Sequence, residues 1–129
     1  MRVYNKWHSM IKKELKKMNL THPQFVVLAS LAYLSQNGNE ITQIMISKLS
    51  GIDVMTVSQI LGLLEKHDFV KRKEHSRDTR AKAVILNKKG EEILQKAVPL
   101  IEQIDEIFFK KLDTDEEQFK HFLVRLNEE

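Results

Sequence analysis

The chemistry open to this 129-residue chain is set first by the side chains it lacks. It has no cysteine, which excludes disulfides, thiolate metal sites, cysteine nucleophiles and thiol-based redox sensing. Its histidines, His8, His22, His67, His75 and His121, lack the paired helical spacing of a zinc site. No nucleophile–base pair and no phosphate-cradling glycine loop stands out, so neither an enzyme nor a bound cofactor is expected. What remains are side chains that hold a partner by charge and hydrogen bonding. Met55, Thr56, Ser58 and Gln59 form one group, and Arg77, Asp78, Arg80 and Lys82 form another. Their equipment is for recognition, not for making or breaking bonds.

Two such groups need a scaffold, and composition allows one. Hydrophobic residues make up 42% of the chain and charged residues 30%, a balance that folds around a core without metal or disulfide staples. The net charge of +3 is compatible with nucleic acid without demanding it. Its distribution says more: lysines crowd the N-terminal segment, arginines and lysines gather over 71–82, and acidic residues gather over 102–117. No segment reaches the roughly 20 apolar residues that span a bilayer, and the N-terminus lacks the apolar stretch of a signal peptide, so a cytoplasmic protein without a membrane partner is expected.

Periodicity then places the elements. Val3, Trp7, Met10, Ile11, Leu15 and Met18 share one stripe of a first amphipathic helix. Thr21 and Gln24 form a capping box ahead of an almost wholly apolar second helix, about His22 to Ser35, which Asn37-Gly38 ends. Glu40-Ile41-Thr42 is a brief extended stretch, and Thr42 can cap a short third helix. Gly51 supplies the reversal, Asp53 caps a fourth helix, and Val54, Val57, Ile60, Leu61 and Leu64 mark that helix's buried side. Two short helices so joined make a helix-turn-helix. Strands over 69–74 and 83–86 flank a polar, basic tip, which makes a hairpin wing. Asn87 can cap a long helix bent locally at Pro99, and Thr114 with Glu117 gives a second capping box for a last helix carrying Phe119, Phe122, Leu123 and Leu126.

The order of these parts resembles the MarR family of winged helix-turn-helix transcription regulators. The resemblance covers nearly the whole chain. It is carried by the run Ser50 to Gln59, by Leu64-Glu65-Lys66, by Phe69-Val70-Lys71-Arg72, by Asp78-Thr79-Arg80 and by Leu86-Asn87-Lys88-Lys89-Gly90. It departs from the family's pattern at Asp68, where a glycine is usual, and at Gly62 inside the fourth helix. The fold it implies is mainly α with a small β-hairpin wing. Residues 21–87 would be the winged helix-turn-helix, and residues 1–20 and 88–129 would supply terminal helices that interlock two chains as a dimerisation domain.

The same resemblance implies a homodimeric regulator of double-stranded DNA, a repressor at a pseudo-palindromic operator. Met55, Thr56, Ser58 and Gln59 would face the major groove, where glutamine pairs with adenine and threonine or methionine meets the thymine methyl. Helix starts at Thr42 and Asp53 would hold phosphates. Arg77, Arg80 and Lys82 would reach the minor groove from the wing, with Asp78 orienting an arginine. Some members of the family bind phenolic ligands that release DNA. That implies a small-molecule effector near Trp7, His8 and Phe25, for which core or dimer packing is the alternative. The modest charge and the arginine-poor fourth helix favour a rival, a winged-helix module that binds protein.

Overall fold

The computed structural model describes residues 1–78 and 80–128. Thr79, the middle of the wing signature, and the terminal Glu129 lie outside them. Among the described residues six α-helices and three short strands follow in the order α1 (Arg2–Lys16), α2 (His22–Leu34), β1 (Ile41–Thr42), α3 (Gln43–Ser50), α4 (Val54–Lys66), β2 (Val70–Glu74), β3 (Lys82–Leu86), α5 (Lys88–Phe109) and α6 (Glu116–Asn127).

The start of α2 follows from its cap. Thr21 Oγ1 accepts the Gln24 N–H at 3.2 Å, and Gln24 Oε1 accepts the Thr21 N–H at 3.0 Å, so the capping box is complete. Such a cap contributes about 1 kcal/mol. The helix touches α1, α3, α4, α5 and β3, which is why its sequence is apolar nearly all round. Val27, Leu28 and Leu31 are wholly buried there, against Ile11 and Leu15 of α1, Ile46 of α3, and Val57, Leu61 and Leu64 of α4. Each such aliphatic side chain stabilises the fold by about 2 kcal/mol. The chain leaves α2 through a 3-10 turn, Ser35–Asn37, and reverses at Gly38 with φ +73.

The wing is larger than a hairpin. Its sheet has three antiparallel strands in the order β1-β3-β2, with Ile41 opposite Val84 and Val70 opposite Leu86. The extended stretch at Ile41–Thr42 therefore anchors the hairpin to the start of α3. Phe69 lies one residue before β2 and is buried. Asp68, at the position where glycine was usual, takes φ +62, a conformation that aspartate tolerates better than most residues. Asn87 holds it there by donating from Nδ2 to the Asp68 side chain at 3.1 Å and to its carbonyl at 3.3 Å.

Pro99 lies inside α5, within the long helix expected there. Three expectations change. Asn87 is the N-cap of α5, but its side chain makes no capping bond because it is spent on Asp68. Thr114 falls within a 3-10 segment, Lys110–Asp115, so α6 begins after Asp115 with no side-chain cap and no Thr114–Glu117 box. The cause is Asp113, whose φ of +48 breaks the chain direction just before the expected cap. Val54, assigned to the buried side of α4, is exposed because it opens the helix where α4 leaves the core.

α6 buries none of its side chains fully, and Phe119, Phe122, Leu123 and Leu126 are all exposed. Among the described residues no single helix is long and apolar enough to cross a membrane. α3 and α4 together have the composition, but they bend by 111° and carry core residues.

Candidate nucleic-acid interface

The turn between α3 and α4 is locked by its own polar groups. Ser47 Oγ donates to the Ile52 carbonyl at 2.6 Å, the Ile52 N–H donates to Ser50 Oγ at 3.2 Å, and Gly51 takes φ +76. Asp53 then caps α4. Its carboxylate accepts the Thr56 N–H at 3.0 Å and the Thr56 hydroxyl at 2.6 Å. The Thr56 hydroxyl, followed by its backbone N–H, holds the Asp53 carboxyl below the usual carboxylate range. A start of α4 already occupied by an anion of its own has less to offer a phosphate. Thr42 is engaged similarly, accepting the Met45 N–H at 3.3 Å as the cap of α3.

On α4, Met55 is 71% exposed and Gln59, one turn on, is also exposed. Thr56 stands beside them, half-buried, with its hydroxyl proton given to Asp53. Ser58 does not join this face. Its Oγ and its carbonyl both accept from Arg72 Nη1 at 3.2 Å, on the side of the helix turned to the sheet. The structure thus brings Met55, Thr56 and Gln59 together and draws Ser58 away.

The wing tip is a tied loop. Asp78 Oδ1 accepts the Arg80 N–H at 3.0 Å and Arg80 Nε–H at 3.3 Å, the charge-assisted contact expected of it, and leaves the Arg80 side chain 91% exposed. Arg77 and Lys82 are exposed beside it. Sequence inspection missed the anchor of this loop. Glu40, just before β1, accepts from the Ser76 N–H at 3.1 Å and from the Ser76 hydroxyl, and lies 3.5 Å from His75 Nε2. The Ser76 hydroxyl is the main cause of a lowered Glu40 pKa. His75 Nδ1 accepts the N–H groups of Arg77 and Asp78 at 3.1 and 3.3 Å. Nothing local marks a contact between residues 36 positions apart.

The three residues assigned to a ligand separate. Trp7 Nε1 donates to Asp105 Oδ1 at 2.7 Å, which ties α1 to α5. His8 stacks on Tyr4, and its ring centre lies 5.3 Å from that of His22. Burial, then the neighbouring His8, lowers the His22 pKa, and Asp105 opposes them. His8 and His22 line an open cavity of about 320 Å3 with Lys12, Lys16, Leu20, Thr21 and Pro23. Phe25 lines neither this cavity nor the apolar groove beside Trp7, because it is packed in the core.

A helix-turn-helix whose second helix exposes an uncharged polar face, flanked by a cation-tipped wing, defines a winged helix-turn-helix regulator. Comparison with known proteins agrees. The family model described as ArnR1-like, winged-helix domain, matches residues 16–104. The HTH-type transcriptional regulator YdcH of Bacillus subtilis is 35% identical over 103 residues, covering 80% of this chain and 70% of that protein. Among solved structures, Bordetella bronchiseptica BpsR superposes with a TM-score of 0.82 at 25% identity over 96% of this chain and 86% of its own. A mutant E. coli MarR, solved in complex with operator DNA, does so with a TM-score of 0.82 at 23% identity and the same coverage. The chain belongs to the ArnR1-like winged-helix family and is a helix-turn-helix transcription regulator, and its fold is that of MarR. It is not an enzyme.

Proposed function

We propose that the chain acts as a homodimer that recognises a pseudo-palindromic operator in double-stranded DNA and represses transcription by occupying it. The observation that carries this reading is the pairing of an exposed Met55 and Gln59 on α4 with an Arg80 that stands 91% exposed at the wing tip. Met55, Thr56 and Gln59 would meet base edges in the major groove, while Arg77, Arg80 and Lys82 follow the backbone and the adjacent minor groove. Asp53 and Thr42 serve as caps that fix the two helices, and Asp78 aims Arg80. MarR, which shares this fold, has been solved in complex with operator DNA, and this supports DNA as the partner. A chromosomal partner implies the cytoplasm.

Residues 1–20 and 88–129 supply the dimerisation helices and residues 21–87 the reading head. An apolar groove of about 650 Å3 between α1, the end of α5 and α6 supports this, lined by Tyr4, Trp7, Phe108, Phe109, Phe119 and Leu123 among others. Interlocked helices of a second chain would cover it. They would set the two α4 helices about 34 Å apart, one DNA turn. The effector is a small aromatic acid, a reading supported by BpsR, whose DNA binding is regulated by 6-hydroxynicotinic acid. The cavity of His8, His22, Lys12 and Lys16 offers cations for its carboxylate and rings for its face.

Selecting bound fragments from genomic DNA with the purified protein tests the reading directly. Enriched fragments should share an inverted repeat, and their affinity should fall steeply as salt rises. Affinity for duplex DNA that is weak and indifferent to sequence at low salt would instead support the protein-binding module.

A further inference from the structure

We infer that Arg72 is the positioning residue of the reading head: it sets where α4 stands relative to the wing, and so how sharply DNA sequences are told apart, without touching DNA. The inference rests on the DNA-binding reading above. Arg72 lies in a basic stretch of the chain, yet it alone among Lys71, Arg72, Lys73, Arg77, Arg80 and Lys82 is not exposed. Strand alternation explains why. Val70 points into the core, so Arg72, two residues on, projects from the same face of β2.

There its guanidinium meets two helices, α3 and α4. Nε donates to Glu65 Oε1 at 2.7 Å, and Nη1 donates to Gln43 Oε1 at 3.0 Å and to the Ser58 carbonyl and Oγ at 3.2 Å. The Arg72 N–H also reaches Glu65 Oε2 at 3.4 Å. Ser58 and Glu65 are seven residues apart, about two helical turns, so one planar group grips α4 at both ends of its middle. Gln43 is the first residue of α3. Beside the β1 connection to α3, this one side chain therefore ties both helices of the helix-turn-helix to β2.

Gly62 fits the same scheme. A Cβ there would stand 3.5 Å from Arg72 Nη2, ordinary contact, so the guanidinium passes directly over this position. The glycine lies between Ser58 and Glu65 on the face that the guanidinium crosses. Lysine could not replace Arg72, because a point charge on a flexible stem cannot hold a carboxylate, an amide and a carbonyl in three fixed directions. Since Ser58 adjoins Gln59, a shift of the grip moves the face that carries Met55 and Gln59.

The test compares the tightest duplex selected from genomic DNA with the same duplex carrying scrambled half-sites, over a series of salt concentrations. Arg72→Lys should cut discrimination between the two by about tenfold, the equivalent of one misaligned base contact. Gln43→Ala should act in the same direction more weakly, and it leaves the Arg72–Glu65 pair intact should Arg72→Lys fold poorly. The double variant Arg72→Gln with Glu65→Gln removes both charges together, and its salt slope should match the wild type because no phosphate contact is lost. Thermal melts confirm that each variant is folded at the assay temperature. Two results overturn the inference alone: full discrimination by Arg72→Lys and Gln43→Ala, or a salt slope reduced by about one in the double variant, which would make Arg72 a phosphate contact. A wild type that prefers no duplex overturns the DNA-binding reading, and this inference with it.

Discussion

The winged module and the terminal helices solve opposite problems. In the module nearly every polar device is satisfied within the chain: the Thr21–Gln24 box, the Asp53 cap, the Ser47–Ile52 bond and the Arg72 grip. Its core holds Val57, Leu61 and Leu64 at no exposure. The terminal helices leave Val3 at 70%, Ile107 at 54% and Leu126 at 82% exposed, and α6 buries no side chain fully. Exposed apolar side chains scattered singly need no explanation, but Tyr4, Trp7, Phe108, Phe109, Phe119 and Leu123 line one contiguous groove, the kind of surface that proteins use for association. One region is satisfied within the chain, and the other, on the proposed dimeric reading, is half of a core.

The contrast breaks most visibly if the terminal helices are spoiled. Leu123→Glu places a charge in the apolar groove, and the expected outcome is a monomer by sedimentation with a folded winged module. Operator affinity should fall by about 100-fold or more, since the second reading head no longer binds as part of the same molecule. An unchanged dimer would show that α6 lies outside the interface. In the other region Arg80→Ala should leave the dimer intact while weakening DNA binding by about tenfold and lowering the salt slope by about one. Unchanged affinity would remove the wing from the interface.

The seam between the regions can be stressed as well. Gly90, in the first turn of α5, packs so closely on the Phe69 carbonyl and the Leu86 side chain that a Cβ would overlap both. Gly90→Ala should therefore cost about 2 kcal/mol of stability in a denaturant titration, the usual penalty for overpacking. Gly62→Ala tests the opposite case. Its new methyl meets only ordinary contact, so the gain in helix propensity should prevail and stabilise the fold by up to about 1 kcal/mol. A loss at Gly62 would mean that the guanidinium needs more room than its static position shows.

What was legible in the sequence divides along the same line. Local devices were legible because their partners lie three residues apart, as with Thr21 and Gln24 or Asp53 and Thr56. The stripe on α6 was legible as a pattern, though not the groove that Phe119 and Leu123 line with Tyr4 and Trp7. Contacts across the fold were not: Glu40 with Ser76, Trp7 with Asp105, and Arg72 with Gln43 join residues 36, 98 and 29 positions apart. Arg72 was the nearest miss, since two-residue alternation from Val70 pointed it inward, but its charge suggested the wing surface. β1 was too short to declare a partner. The Thr114–Glu117 box had the right residues and the wrong backbone, because the left-handed Asp113 shifted the helix start to follow Asp115.

The smallest expected effect lies where the two regions meet. His22 opens α2 against His8 and Trp7 of α1, and its pKa is lowered by burial and by His8. Folding therefore favours the neutral ring. Above the ordinary histidine value of about 6.5 both folded and unfolded chains carry it neutral, and stability is unaffected. As pH falls through that value the unfolded chain takes up the proton first, so the folded state loses ground until the lowered folded-state pKa is passed. The melting temperature should decline from pH 7.5 to 5, and His22→Asn, which keeps a polar group at the helix start, should flatten that part of the decline. Asp105 opposes the shift and carries the Trp7 bond, so Asp105→Asn, which keeps an acceptor for Trp7, should steepen it. Equal slopes in all three proteins would mean that the seam does not sense the proton, and that α1 and α2 are held together by packing alone.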